Sequence, residues 1–181
     1  MDELVQARHL VELGYLEEIF KALGYRDVQL LEKSDDIPYH TLFVALEPDA
    51  KGRAKQMALT FYPVAEFEDT LLLQYFIPLP FKAEPKQLPQ LYTLLPELNS
   101  KLVLGHFGFS SGEGTLHLRY VQALNASDLL TQERVADVIT LVTFSTVLFE
   151  GVLEDLVTGK LSVAQALAKL DEQSTQLSSA A

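Results

Sequence analysis

Residues 105–120, "GHFGFSSGEGTLHLRY", admit two incompatible readings. Gly108-Phe109-Ser110-Ser111-Gly112 has the G-x-S-x-G form of a nucleophilic serine elbow. An elbow needs a strand before the serine and a helix after it. A phosphate-cradling loop also opens a helix, and Glu113 stands where such a cradle wants bare amides or positive charge. Downstream of Gly114, Thr115–Tyr120 alternates apolar and polar residues at period two, which predicts a strand. The hydrolase order also fails, because no acid-then-histidine pair follows and His117 is the last histidine. By spacing, Ser110 has no histidine placed by a recognisable motif.

The hairpin reading accounts for each residue. With Gly112-Glu113 at the tip, glycine at the first loop position suits a type II′ turn. Phe109 then faces Leu116, Phe107 faces Leu118, and Gly105 faces Tyr120, leaving room for its ring. On the other side Gly108 meets His117 and His106 meets Arg119. A register that sorts the apolar residues onto one face is the register a buried face would select.

Outward from the hairpin, residues 2–23 predict a helix with Leu13, Leu16, Phe20 and Leu23 on one side, stopped by Gly24. Strands follow at 27–33, 40–47, 56–62 and 69–79. Their alternation places Leu42 and Val44, then Met57, Leu59 and Phe61, then Leu71, Leu73, Tyr75 and Ile77 inward. Pro48-Asp49-Ala50-Lys51-Gly52 is turn chemistry. Pro63 is expected to end the third strand, and Pro78 and Pro80 the fourth. Residues 85–99 predict a second helix, with Leu88, Leu91, Tyr92, Leu95 and Leu98 as its stripe and Pro96 bending or shortening it. A strand over 102–109 leads into the hairpin, and its partner ends near Gln122. Residues 131–158 predict a long helix, ended by Gly159. Ser162-Val163-Ala164-Gln165 is a capping box that starts a last helix, ending near Glu172. Strands and helices in separate runs argue for an α+β fold with an antiparallel sheet of five to six strands. Residues 1–173 are expected to form one domain, and 174–181 a flexible tail.

Composition narrows the function. There are no cysteines, hence no disulfide framework, thiolate metal site or thiol nucleophile. The formal charge of −11 disfavours nucleic acid and anionic membranes, which need basic patches. The N-terminus is acidic and amphipathic, unlike a signal peptide. No unbroken run of about 18 apolar residues predicts a membrane span.

Candidate sites are few. His106 and His117 become diagonal neighbours on the polar side of the hairpin. No third ligand is placed by spacing, and Arg119 opposes a cation, so neither metal nor cofactor is expected. Asp35-Asp36 and Glu66, Glu68 and Asp69 lack calcium-loop spacing and read as solvated turns. The outward positions of the strands are more informative. Phe43, Tyr62, Leu72 and Phe76 stand there among Thr41, Thr60 and Gln74, and an apolar patch on an outer face marks a partner surface. In the long helix, Val135, Val138, Ile139, Val142, Phe149, Val152, Leu153 and Leu156 form one stripe. Leu141, Phe144 and Leu148 widen it beyond one face, as a dimer contact or as packing for the last helix through Val163, Leu167 and Leu170.

The order of elements and the stretch "LNSKLVLGHFGFSSGEGTLHLRY" (98–120) resemble the YbjN-type bacterial proteins. The likeness rests on the helix ending in Leu98-Asn99, Gly105 and Phe107, the glycine turn, Arg119 on the second strand and the long helix. It implies a type III secretion chaperone-like fold, to which the C-terminal helix after Gly159 is an addition. It also implies a cytoplasmic, non-enzymatic homodimer that holds a protein partner on an apolar surface. The alternatives from the residues are a small hydrolase using Ser110 and a small-ligand sensor with a pocket between sheet and helices.

Overall fold

Period-two alternation in the strand regions builds a sheet with one strongly apolar side. In the computed structural model this is an open antiparallel sheet of six strands in an α+β fold with four α-helices. The structure describes residues 3–35, 37–62, 69–125, 127 and 130–180, without the side chains of 174–180. Asp36, Pro63, Glu66 and Glu68, which carry sequence expectations above, lie outside the described residues, as does Ala181. Chain order is α1 (Glu3–Ala22), β1 (Val28–Leu31), β2 (Thr41–Leu46), β3 (Lys55–Tyr62), β4 (Thr70–Lys82), a 3-10 turn (Pro85–Gln87), α2 (Leu88–Asn99), β5 (His106–Ser110), β6 (Thr115–Asn125), α3 (Gln132–Val157) and α4 (Val163–Ala180). The strands lie in the order β1-β2-β3-β4-β6-β5. The chain forms two compact units, residues 1–77 with 119–139, and 78–118 with 140–181.

In the first unit, register fixes the faces. Leu42 pairs with Leu59, which pairs with Tyr75; Val44 pairs with Met57, and Phe61 with Leu73. All of these side chains are buried, and α1 packs on this side with Leu13, Leu16 and Phe20 also buried. Each such side chain contributes about 1.5–3 kcal/mol on leaving water. Gly24 ends α1 with φ +94°, and the Tyr25 N–H reaches back to the Phe20 carbonyl. A residue with a Cβ would resist that left-handed stop. The turn expected over 48–52 is held by Asp49. Its carboxylate accepts the N–H of Lys51 (2.9 Å), the N–H of Arg53 (2.8 Å) and the Arg53 Nε–H (2.6 Å).

In the second unit, Phe107, Leu116 and Leu118 supply the buried side of the hairpin, and Phe149 of α3 meets Phe107 edge-on at 6.4 Å. Leu91, Leu94 and Leu98 of α2 are buried, and α4 packs on α2 with Ala166 and Leu170 buried. The Ser162–Gln165 capping box forms as expected: Gln165 Oε1 accepts the Ser162 N–H at 2.9 Å, and the Gln165 N–H points to Ser162 Oγ at 3.4 Å.

All eight members of the α3 stripe are buried. Ser145 and Thr146 are buried too, because their hydroxyls donate to the carbonyls of Leu141 and Val142 one turn back. α3 is also long and apolar enough to cross a membrane, with a mean hydropathy of 1.7 over its best window. Scattered polar residues break its sequence into short apolar runs.

Five expectations need correcting. Pro78 and Pro80 do not end β4, which runs on to Lys82. Pairing with β3 stops at Ala58–Phe76, so on that side the prolines lie beyond the ladder and owe it no N–H. Pro96 does not shorten α2, which continues to Asn99. Only one further turn remains after it, and Tyr92, whose carbonyl it leaves without a helical donor, is exposed. β5 begins at His106 rather than Leu102, because Gly105 takes φ +74° and breaks the extended run. α4 extends its helical backbone to Ala180, past Glu172.

The fifth concerns the hairpin turn. Gly112 has no positive φ; Gly114 does, at +69°. The Ser110 carbonyl accepts the N–H of Glu113 (3.2 Å) and of Gly114 (2.8 Å), closing a four-residue loop rather than a type II′ turn. A Cβ on Gly108 would fall 2.6 Å from the His117 ring, which agrees with the expected Gly108–His117 pairing.

Edge strand β5 carries a local clamp. Asn99, at the end of α2, donates Nδ2 to the Phe107 carbonyl (3.0 Å) and accepts the Phe107 N–H at Oδ1 (2.7 Å). One side-chain amide thus satisfies both backbone groups of an edge residue.

Candidate partner-binding face

Each unit has a ring contact between a helix and its own strands. In the first unit, His9 of α1 stacks on Phe61 at 5.4 Å. In the second, Tyr92 of α2 meets Phe109 at 6.1 Å, on the same strand side as Phe107. The opposite side of β2, β3 and β4 holds the residues singled out from the sequence, and register brings them together. Phe43 and Phe76 both pair with Ala58, one from each side. Thr60 pairs with Gln74 in the next row, and Tyr62 with Leu72 beyond it. Phe43, Tyr62, Leu72 and Phe76 are all half-buried. Thr41 and Thr60 are buried between them, with their hydroxyls 3.3 Å apart.

One residue of this face was not singled out. Arg119 of β6 donates Nε–H to Gln74 Oε1 (2.7 Å) and Nη2–H to Tyr62 Oη (3.0 Å). Its guanidinium lies 5.6 Å from the Tyr62 ring centre. Tyr62 Oη donates to the same Gln74 oxygen, closing a three-membered network. Alternation placed Arg119 on the polar side of the hairpin. That β6 lies beside β4 is a long-range pairing with no local signature, so its partners were not foreseen.

The serine motif also needs revision. Ser110 Oγ lies 3.3 Å from His117 Nδ1, so the hairpin does bring a histidine to this serine. Diagonal placement across two strands achieves what linear spacing did not suggest. No helix follows the turn; β6 does. Among the described residues, no group of three or more His, Cys, Asp or Glu could hold a metal ion, so His106 and His117 are not joined by a third ligand.

On α3, Leu141 and Phe144 are 37% and 48% exposed, and Leu148 is half-buried. Val147, 61% exposed, joins them and was missed, because it falls outside the heptad-like spacing of the other three. α4 reaches α3 through Gln173 Nε2, which donates to the Leu148 carbonyl at 2.9 Å. Of the three residues expected to pack it, Leu170 is buried, while Val163 and Leu167 are half-buried.

A small pocket beside α1 is lined by Gln6, His9, Lys33, Pro38, Tyr39 and His40, with room for about one water molecule. His40 Nδ1 accepts the Lys33 N–H at 3.1 Å, which puts the proton of the neutral ring on Nε2. Burial holds the His9 pKa below its ordinary value, with His40 and Arg8 adding to the effect. Burial also raises the pKa of Tyr75, whose hydroxyl donates to Gln122 Oε1 at 3.3 Å.

No protein-family model matches the chain, and no curated protein matches it.

Proposed function

We propose that the chain is a non-enzymatic protein-binding module, chaperone-like or regulatory, that holds a protein partner on the outer face of β2, β3 and β4. The observation that carries this is the asymmetry of the sheet. α1 takes the inner side, while Phe43, Tyr62, Leu72 and Phe76 remain half-buried together on the outer one. The acidic charge and the YbjN resemblance support the same reading, a cytoplasmic one without cofactor or nucleic acid. The test is affinity capture from the native organism with the wild type and with Phe43→Ser, Tyr62→Ser and Phe76→Ser. Partners of this face are lost from the variants while circular dichroism stays native. A captured set unchanged by all three substitutions overturns the site.

The proposal includes self-association through Leu141, Phe144 and Leu148, extended by Val147. An exposed apolar patch at the middle of a long helix is a surface two acidic copies can share, since no charged residue lies between Val138 and Phe149.

The Ser110–His117 contact favours a second reading, a small hydrolase. A serine within reach of an imidazole is the first element of an activated nucleophile. The 3.3 Å separation is long for such a pair, and a strand stands where an elbow has its helix. If hydrolysis of an ester probe is detected, Ser110→Ala must abolish it; full activity in that variant eliminates this reading.

A further inference from the structure

Resting on the partner-face reading, we infer that Arg119 is an anion anchor, and that the segment held by this face carries a carboxylate among apolar side chains. A guanidinium drawn out of water gains most when an acid matches it. The hydrogen-bond partners of Arg119 are neutral, Gln74 and Tyr62, and among the described residues no carboxylate lies within ion-pair distance of it. These two partners and the Tyr62 ring fix the plane of the guanidinium while using only part of its donor fork. The remaining N–H groups on Nη1 and Nη2 have the geometry that grips a carboxylate with two parallel bonds.

Charge placement agrees. The chain carries 25 Asp and Glu against 14 Lys and Arg. Yet β1, β2, β3, β4 up to Phe76, and β6 from Arg119 onward hold no Asp or Glu on either side. Among the described residues, strands without acids that hold a guanidinium on neutral supports present charge complementarity to an acidic segment. Tyr62 and Leu72, paired beside it, supply the apolar part of the contact.

The test uses short labelled peptides alternating Leu and Thr around a central Glu, Gln or Lys, measured by fluorescence anisotropy. The Glu peptide is expected to bind about tenfold more tightly than the Gln peptide, the size of a charge-assisted pair. That preference disappears in Arg119→Gln and inverts toward the Lys peptide in Arg119→Glu, which a purely structural arginine would not produce. Should either variant fail to fold, the salt dependence of the wild type decides, since the Glu advantage must shrink as salt rises. Equal binding of Glu and Gln peptides, lost in Phe43→Ser, overturns the anchor and leaves the face. Binding of no peptide overturns both. Tighter, Arg119-dependent binding of a labelled single-stranded oligonucleotide assigns the anchor to phosphate and overturns the carboxylate.

Discussion

Alternate residues of the same strands meet opposite fates. In β3, Met57, Leu59 and Phe61 are shut from water under α1, whereas Ala58 and Tyr62 stay half-buried on the other side. The inner residues share one requirement, apolar volume. The outer ones differ in kind, with Phe43 and Phe76 either side of an alanine and Thr60 and Gln74 in the next row. On the proposed reading, stability and recognition lie a single step apart along the chain, and substitutions can pull them apart.

The largest expected effect is on the inner face. Phe61→Ala removes a buried ring stacked on His9 and should cost about 3–5 kcal/mol in urea unfolding. Phe43→Ser, on the outer face, should cost no more than about 1 kcal/mol while removing partner capture. Equal destabilisation by the two would erase the distinction. Asn99→Ala comes next, at about 1–2 kcal/mol, because it strips both hydrogen bonds from Phe107; faster amide exchange at Phe107 is the local readout.

Smaller still is a pH effect confined to the inner side. The folded state holds His9 below its ordinary pKa, so the unfolded chain binds the proton more readily. Full stability is therefore present above the unfolded value of 6.5 and falls as pH drops below it toward the folded pKa. Unfolding midpoints measured from neutral to mildly acidic pH should show this decline, and His9→Phe should remove it. The smallest change in stability, within about 0.5 kcal/mol, is expected for Leu141→Ser with Phe144→Ser, whose effect should instead be a halved mass in light scattering. An unchanged mass removes self-association from the proposal.

Much of this fold was legible because it is local. Alternation identified β2, β3 and the inner run of β4, and helical spacing found the α3 stripe residue by residue. Gly24, Gly159 and the Ser162–Gln165 box marked helix ends by chemistry that needs no tertiary context. What misled was local rules applied where tertiary context overrides them. Pro78 and Pro80 break a strand only where a neighbour asks for their N–H, and the ladder to β3 had already stopped. Gly112 looked like the turn glycine, yet the left-handed residue is Gly114, two positions on. The candidate face was half legible. Phe43, Tyr62, Leu72 and Phe76 followed from strand parity, but Arg119 joins them only because β6 inserts next to β4. The meeting of Ser110 and His117 is similar: a diagonal across a hairpin is invisible to motif spacing.

The Asn99 clamp has a consequence for how the proposed partner can arrive. An incoming strand that extends a sheet must find a row of open backbone donors and acceptors along its rim. At β5 the groups of Phe107 are already answered by a side chain that mimics a neighbouring strand and cannot itself be extended. The opposite rim, β1, is four residues long. Such rims resist both fibrillar stacking and recognition by strand addition, which leaves contact through side chains, flat against the sheet, as the mode this architecture favours.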